Sequence, residues 1–144
     1  MKNARIAVVD DHDLLAAGVV GLLSQLPSTV VGHARTVADL LAEHSDLHLV
    51  VLDLRLADGS DPVHNVEQLR QAGAEVLAYT SGEDPELVRK VARADVIGMI
   101  SKAEPGQVLL DAVEQALTGE VVASTDWAAA LDSDTVAPPV PLPP

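Results

Sequence analysis

Three aspartates lie where short apolar runs end, and this spacing allows their carboxylates to act together. Asp10 and Asp11 follow the run 6–9, and Asp53 follows the run 49–52. If these runs are neighbouring strands of a parallel sheet, the three carboxylates converge on one edge. At about 5 Å separation and an effective dielectric constant near 20, each ionised pair would repel by roughly 3 kcal/mol. The cluster therefore needs a cation or a raised pKa.

Magnesium is the cation that best suits such a cluster. Mg²⁺ prefers oxygen ligands, keeps several waters and typically uses one or two carboxylates together with phosphate oxygens. The third carboxylate is then free to act as a nucleophile in phosphoryl transfer. Lys102, after a later apolar run, can neutralise developing charge, and the Thr80 hydroxyl can hydrogen-bond a phosphoryl oxygen. These residues predict a site for phosphoryl transfer.

The rest of the chain predicts the sheet that positions these groups. Short β-branched runs alternate with helical patterns from one end to the other, which is typical of parallel strands joined by crossover helices. Right-handed crossovers and two covered faces favour an α/β fold, a flavodoxin-like (βα)₅ three-layer sandwich with strand order 2-1-3-4-5. The predicted strands are 6–9, 30–32, 49–52, 76–79 and 98–100.

Helix faces and helix ends are also predicted from the pattern. Apolar residues at helical spacing mark one face of a first helix and one face of a final helix. Caps and first-turn residues are assigned from residue type. The faces comprise Leu15, Val19, Leu22 and Leu26, and Leu109, Ala112, Val113, Ala116 and Leu117; the end signals are Asp13, Thr36 with Asp39, Pro62, Pro85, Pro105 and Gly119.

Four motifs, in order and in spacing, resemble the response regulator receiver family of two-component systems over residues 4 to about 120. They are Val8-Val9-Asp10-Asp11-His12, Leu52-Asp53-Leu54, Ala78-Tyr79-Thr80-Ser81 and Ile100-Ser101-Lys102.

By this resemblance the chain is a phosphoacceptor switch rather than a turnover enzyme. The resemblance implies phosphorylation of Asp53 by a sensor histidine kinase, with Mg²⁺ and a phosphorylation-linked homodimer. Asp10, Asp11 and Asp53 would bind the metal, together with the backbone carbonyl of Arg55. Thr80 would be the switch hydroxyl and Lys102 the phosphate partner.

The opening Asp10-Asp11-His12 and the segment 119–122 resemble the NarL/FixJ branch, whose members carry a LuxR-type helix-turn-helix after a linker. We therefore expect a receiver domain at 1–121, a short helix and linker at 122–137, and a proline-rich linker at 138–144 leading to an absent effector domain. Five prolines in the last eight residues favour a semi-rigid spacer. Transcriptional control through that domain follows by resemblance.

Composition excludes several functions for this segment. Nine basic against 22 acidic residues give a net charge of -13, which repels nucleic acid, and Tyr79 and Trp127 are its only aromatic residues. The lack of cysteine fits a reducing compartment. No apolar run has the length of a signal peptide or a membrane span. We expect a cytoplasmic protein.

Some positions depart from the family pattern, so two other functions remain possible: a pseudo-receiver and a phosphohydrolase. Met99 stands where an aromatic residue is usual, and Ala103 stands where a cis proline is common, so we expect a trans bond there. Met99 and an altered loop after Asp53 favour a pseudo-receiver that is never phosphorylated. An aspartate-based phosphohydrolase would carry a second acid two residues after its nucleophile, but Arg55 stands there. His44 and His48 are expected to be surface residues.

Overall fold

Five parallel strands form one sheet in the order β2-β1-β3-β4-β5, with a helix after each strand. The computed structural model describes residues 4–82 and 84–119. The predicted strand order and the five βα units are confirmed. The elements are β1 (Arg5–Val9), α1 (Asp13–Leu23), β2 (Thr29–Ala34), α2 (Val37–Glu43), β3 (Leu49–Asp53), α3 (Pro62–Gln71), β4 (Glu75–Thr80), α4 (Pro85–Ala92), β5 (Gly98–Ser101) and α5 (Gly106–Leu117).

The register of the central strands brings their carboxyl ends to the same level. In β1 and β3, Val9 pairs with Leu52, so Asp10 and Asp53 leave the sheet side by side. Asp53 in turn pairs with Tyr79 of β4. All five residues of β3 are buried, as expected for a strand covered on both faces. The rim of the sheet is therefore built on rigid, buried strands.

Two apolar layers cover the sheet, one on each face. On one face, α2, α3 and α4 pack through residues such as Leu40, Leu69 and Val91. On the other face, α1 and α5 pack through residues such as Leu23 and Leu109. The predicted three-layer sandwich is confirmed.

The predicted buried face of α1 is wrong in part. Val19 is buried as predicted, but Leu15 is 37% exposed, while Ala16 and Leu23 are fully buried. Leu26 lies beyond the end of the helix. The sequence of α1 is apolar on nearly every side, so its own periodicity does not select the side that meets the sheet. The α5 prediction holds, with Leu117 only partly buried.

Asp13 does not cap α1, which corrects a second prediction. The N-cap residue is His12, whose side chain makes no capping hydrogen bond, and Asp13 is the first helical residue. The Asp13 carboxylate instead lies 3.4 Å from Arg35 Nη1 in an exposed ion pair. A carboxylate in the first turn is still favourable because it faces the positive end of the helix dipole.

The other predicted helix ends agree closely with the structure. The Thr36 hydroxyl accepts the backbone N–H of Asp39 at 3.0 Å, and Gly119 follows α5 with a φ of 85°. Pro62 and Pro85 begin α3 and α4 as predicted. Pro105 is the N-cap of α5, one residue before the first turn.

The predictions for the C-terminal segment fall largely outside the part of the chain that the structure describes. The short helix and linker predicted at 122–137 and the proline-rich linker at 138–144 are among residues 120–144, and stay predictions. Within residues 4–82 and 84–119, none of the helices combines the length and the apolar character needed to cross a membrane.

Candidate functional site

Asp10, Asp53 and Lys102 meet at the carboxyl edge of the sheet. The Lys102 ammonium lies 3.3 Å from Asp10 Oδ2 and 3.2 Å from Asp53 Oδ2, so one cation bridges two carboxylates. Asp10 follows β1, Asp53 ends β3 and Lys102 follows β5, so three strands contribute. The geometry predicted from strand order is therefore present.

The two buried carboxylates differ in their acidity because their neighbours differ. Burial raises the pKa of Asp53, and the charge of Asp10 adds to this effect, although Lys102 opposes it. Burial also disfavours ionised Asp10, but hydrogen bonds from the backbone and ring of His12 and the charge of Lys102 outweigh it, and the pKa of Asp10 is lowered. Asp10 is thus the stable anion of the pair.

Asp11 completes the acid cluster. Its Oδ2 accepts a hydrogen bond from the backbone N–H of Ala57, whereas its buried Oδ1 accepts no hydrogen bond of good geometry and lies 3.2 Å from the ring Nδ1 of His12. Asp53 Oδ2 is also buried without a hydrogen bond of good geometry, although Lys102 lies beside it as an ion-pair partner. Buried oxygens with unused lone pairs are costly unless a cation takes them up. The predicted carboxylates therefore fit a divalent ion.

Arg55 follows Asp53 by two residues and lies next to this cluster. Its backbone N–H lies 3.4 Å from Asp53 Oδ1, a long hydrogen bond. Metal binding by its backbone carbonyl stays a prediction.

His12 belongs to the site, although its motif predicts no role for its side chain. Its ring Nδ1 lies 3.0 Å from Asp10 Oδ1 and 3.2 Å from Asp11 Oδ1. The hydrogen bond and charge of Asp10, with the charge of Asp11, raise the pKa of His12. One ligand atom from each of Asp10, Asp11, His12 and Asp53 lies within 4.8 Å of the others. The position directly after two strand-end aspartates was the available signal.

Thr80 lies on the same rim, at the end of β4. Its hydroxyl oxygen accepts the backbone N–H of Gly82 at 3.1 Å, and its carbonyl accepts the N–H of Lys102 at 2.7 Å. The side chain is therefore engaged in a local turn, a common role for threonine hydroxyls. Its function as a switch hydroxyl stays a prediction.

An open cleft of about 590 Å³ lies above these groups. Asp53 lines it, whereas Asp10, only 1% exposed, does not. Of these two carboxylates, only that of Asp53 is accessible from the cleft. The lining residues are His12, Leu14, Leu15, Asp53, Arg55, Ser81 and Lys102.

The profile of the response regulator receiver domain matches residues 6–114. The chain belongs to this family. The matched range contains every predicted site residue of this receiver domain, from Asp10 to Lys102. The resemblance read from four short motifs is thus confirmed.

The curated relatives of this receiver domain are NarL/FixJ-type regulators, which confirms the predicted branch. The nitrate/nitrite response regulator NarL of Escherichia coli K12 is 34% identical over 129 residues, covering 85% of this chain and 59% of that protein. The DNA-binding transcriptional activator DevR/DosR of Mycobacterium tuberculosis is 31% identical over 136 residues, covering 88% and 60%. The chain spans about three fifths of the length of these relatives.

Solved structures agree with the fold of the receiver domain. The signal receiver domain of the putative response regulator NarL from Mycobacterium tuberculosis is 26% identical with a TM-score of 0.71, covering 83% of this chain and all of that one. The isolated receiver domain of RcsB from Salmonella enterica serovar Typhimurium is 19% identical with a TM-score of 0.77, covering 89% and 98%. The second likeness supports the fold alone.

Two departures from the usual receiver pattern are now located. Met99 is fully buried in the layer formed with α2, α3 and α4, so it is a core residue. The peptide bond between Lys102 and Ala103 is trans, as expected for a residue other than proline. His44 is partly buried at the end of α2, and His48 is exposed, its Nδ1 accepting the N–H of Arg5 at 2.9 Å.

Proposed function

We propose that this receiver domain accepts a phosphoryl group on Asp53 from a sensor histidine kinase and acts as a switch. The observation that carries the proposal is the Asp53 carboxylate itself. It lines an open cleft, and its buried Oδ2 lies 3.2 Å from the Lys102 ammonium. A nucleophile, a counter-charge and a route of approach thus occur at one place.

Asp53 is a better nucleophile than the neighbouring Asp10. Both oxygens of Asp10 are engaged: Oδ1 accepts from the backbone and ring of His12, and Oδ2 accepts from Lys102. Asp53 Oδ1 accepts only one long bond, from the N–H of Arg55, and its Oδ2 lies beside the Lys102 ammonium. Asp53 also lines the cleft, whereas Asp10 does not, so Asp53 is assigned the phosphoryl group.

The remaining residues of the site would bind the metal or neutralise the negative charge of the transferred phosphoryl group. Asp10, Asp11 and Asp53, with the Arg55 carbonyl, would hold Mg²⁺, which supplies neutralisation of phosphoryl oxygens when bound. Lys102 neutralises the carboxylate before transfer and a phosphoryl oxygen after it. Thr80 exchanges its bond to Gly82 for one to a phosphoryl oxygen, and this exchange is the proposed switch.

We further propose that the domain is cytoplasmic and controls transcription through a DNA-binding domain joined to it by the linker at 122–144, with phosphorylation favouring a homodimer. The matched relatives include a DNA-binding transcriptional activator, and the chain covers 60% of that protein. The net charge of -13 supports a DNA contact made by another domain.

One alternative has a specific observation in its favour. Met99 occupies the buried position where receivers usually have an aromatic residue, which suits a pseudo-receiver that uses the fold without phosphorylation. A flexible methionine can also repack and preserve a switch. Phosphoryl uptake separates the two functions.

The test is incubation with Mg²⁺ and acetyl phosphate, followed by intact mass spectrometry. The wild type should gain one phosphoryl group, and Asp53→Asn should gain none. The matched control is Asp58→Asn, because Asp58 lies in the same loop but is exposed and bonds only within the loop. This variant should be labelled like the wild type.

Two results would contradict the assignment. A wild type that takes up no phosphoryl group under these conditions supports the pseudo-receiver. A label that persists in Asp53→Asn places the acceptor elsewhere. Rapid hydrolysis of many equivalents of an ordinary phosphate ester would instead indicate a phosphohydrolase.

A further inference from the structure

A backbone amide in the loop after β3 donates a hydrogen bond to one of the acids at the rim. The N–H of Ala57 donates to Asp11 Oδ2, although the two residues are 46 positions apart in the sequence. The Asp11 side chain is only 11% exposed, and one of its oxygens lies within 4.8 Å of candidate ligand atoms of Asp10 and Asp53. The loop therefore holds a carboxylate that belongs to the predicted metal site.

The loop that carries this amide is itself fixed on both sides of Ala57. Leu56 is buried in the apolar layer formed with α2, α3 and α4, and its carbonyl accepts the N–H of Gly59 at 3.1 Å. The Ser60 hydroxyl accepts a hydrogen bond at 2.9 Å from the side chain of Asn65, a residue of α3 that is only 3% exposed. The amide of Ala57 is thus held in place by contacts that involve no metal.

A fixed donor of this kind affects how Asp11 can bind a cation. When one oxygen of a carboxylate accepts a hydrogen bond, the group is held in one orientation, and the other oxygen can still bind a cation or its water. Groups that hydrogen-bond to metal ligands typically contribute about tenfold to hundredfold to metal affinity. Asp11 Oδ1 faces the ring Nδ1 of His12 at 3.2 Å, and this imidazole is 68% exposed, so it can move aside for an ion.

We propose that Ala57 is a positioning residue of this site, whose amide orients Asp11 for the metal and couples the loop 56–60 to metal binding. The inference rests on the metal-dependent function proposed above, and it adds a means by which the loop after β3 responds to the ion. By thermodynamic linkage, a hydrogen bond that strengthens metal binding is itself strengthened by the metal to the same extent. The bond should therefore open less often when the metal is bound.

The turn at Ala57 allows the donor to be removed with little change to the backbone. Ala57 is the second residue of the turn that the Gly59 N–H closes, and neither Ala57 nor Asp58 has a positive φ. Proline suits the second position of such a turn and has no N–H. The Ala57 side chain is exposed, so packing does not depend on it. Ala57→Pro therefore removes the donor, and Ala57→Ser is the matched control because it keeps the donor.

The first measurement is calorimetric titration of the intact chain with Mg²⁺. Ala57→Pro should bind Mg²⁺ about tenfold more weakly than the wild type, whereas Ala57→Ser should bind it as the wild type does. In an Asp11→Ala background, Ala57→Pro should cause no further loss, because the acceptor is already absent. Urea unfolding checks that both variants at position 57 are folded.

Three results would overturn the positioning role. Equal Mg²⁺ affinity in Ala57→Pro would mean that the bond only closes the loop onto the rim. Tighter binding would mean that the amide competes with the ion for Asp11. A loss of the same size in the Asp11→Ala background would mean that proline disturbs the site by a route other than this carboxylate.

The second measurement is hydrogen exchange of the Ala57 amide, followed by NMR. In EDTA, this amide should exchange faster in Asp11→Ala than in the wild type, because its acceptor is lost. Mg²⁺ should slow the exchange in the wild type, and unchanged or faster exchange would contradict the coupling. A wild type that binds no Mg²⁺ would refute the metal-dependent function, whereas normal Mg²⁺ binding and phosphoryl uptake by Ala57→Pro would refute the positioning role alone.

Discussion

At the scale of single residues, identical side chains acquire opposite properties from their neighbours. Asp10 and Asp53 lie side by side and share Lys102. Two extra hydrogen bonds from His12 lower the pKa of Asp10, whereas burial beside Asp10 raises the pKa of Asp53. Environments that move the pKa values of two neighbouring carboxylates apart commonly give the two groups different chemical roles.

The raised pKa of Asp53 predicts that its ionised form lowers the free energy of unfolding when no metal is bound. An acid whose pKa is raised in the folded protein loses stability as the pH rises from the unfolded value through the folded value. At pH values above the folded pKa, the full loss of unfolding free energy is present, and Asp53→Asn removes it. In EDTA at neutral pH, this variant should raise Tm by a few degrees, about 1 kcal/mol.

The control for this prediction is Asp58, whose pKa is shifted in the opposite direction. Hydrogen bonds from Ser60 lower the pKa of Asp58, so its ionised form adds stability that is lost only as the pH falls through the folded pKa. Asp58→Asn should therefore not raise Tm. Thermal scans of both variants against pH check the pair, and a lower Tm for Asp53→Asn would contradict the expected penalty.

At the scale of elements, α1 shows how packing selects one side of an apolar helix. Leu23 is fully buried against the sheet and α5, whereas Leu14 is 90% and Leu15 is 37% exposed. The two exposed leucines also line the cleft above Asp53. The helix thus uses one side for the core and leaves apolar surface at the site.

Truncation of two leucines in α1 should therefore have unequal effects. Leu23→Ala removes a fully buried side chain and should cost about 3 kcal/mol of unfolding free energy. Leu15→Ala is the matched control and should cost less than about 1 kcal/mol. Urea unfolding measures both values. Equal costs would contradict the burial seen for α1.

At the scale of the whole molecule, excess negative charge opposes the compact state. The chain carries 22 acidic and nine basic residues, with several acids gathered at one rim. Self-repulsion among like charges is screened by salt, because the Debye length falls from about 30 Å at 0.01 M to about 10 Å at 0.1 M. Stability should therefore depend on ionic strength.

Raising NaCl from about 0.01 M to about 0.3 M in EDTA should increase Tm by a few degrees. Potassium chloride should have the same effect, because screening depends on ionic strength rather than on the cation. Calorimetry at fixed pH measures the shift. A Tm that falls, or that differs between the two salts, would contradict screening as the cause.

The sequence alone determined the fold and much of the site because both depend on short-range patterns and on general rules of topology. Continuous apolar runs marked buried strands, and right-handed crossovers left few possible strand orders. Once the order was known, Asp10, Asp53 and Lys102 had to share one rim, since the ends of parallel strands meet there. Their contacts within 3.3 Å follow from that placement.

Only the tertiary structure decided which way individual side chains turn. His12 was visible in a motif, but its place between Asp10 and Asp11 depends on the path of the chain into α1. The pairing of Asp13 with Arg35 depends on the end of β2, more than 20 residues away. The buried side of α1 depends on the sheet and α5. These outcomes arise from contacts between elements distant in sequence, which a local pattern does not contain.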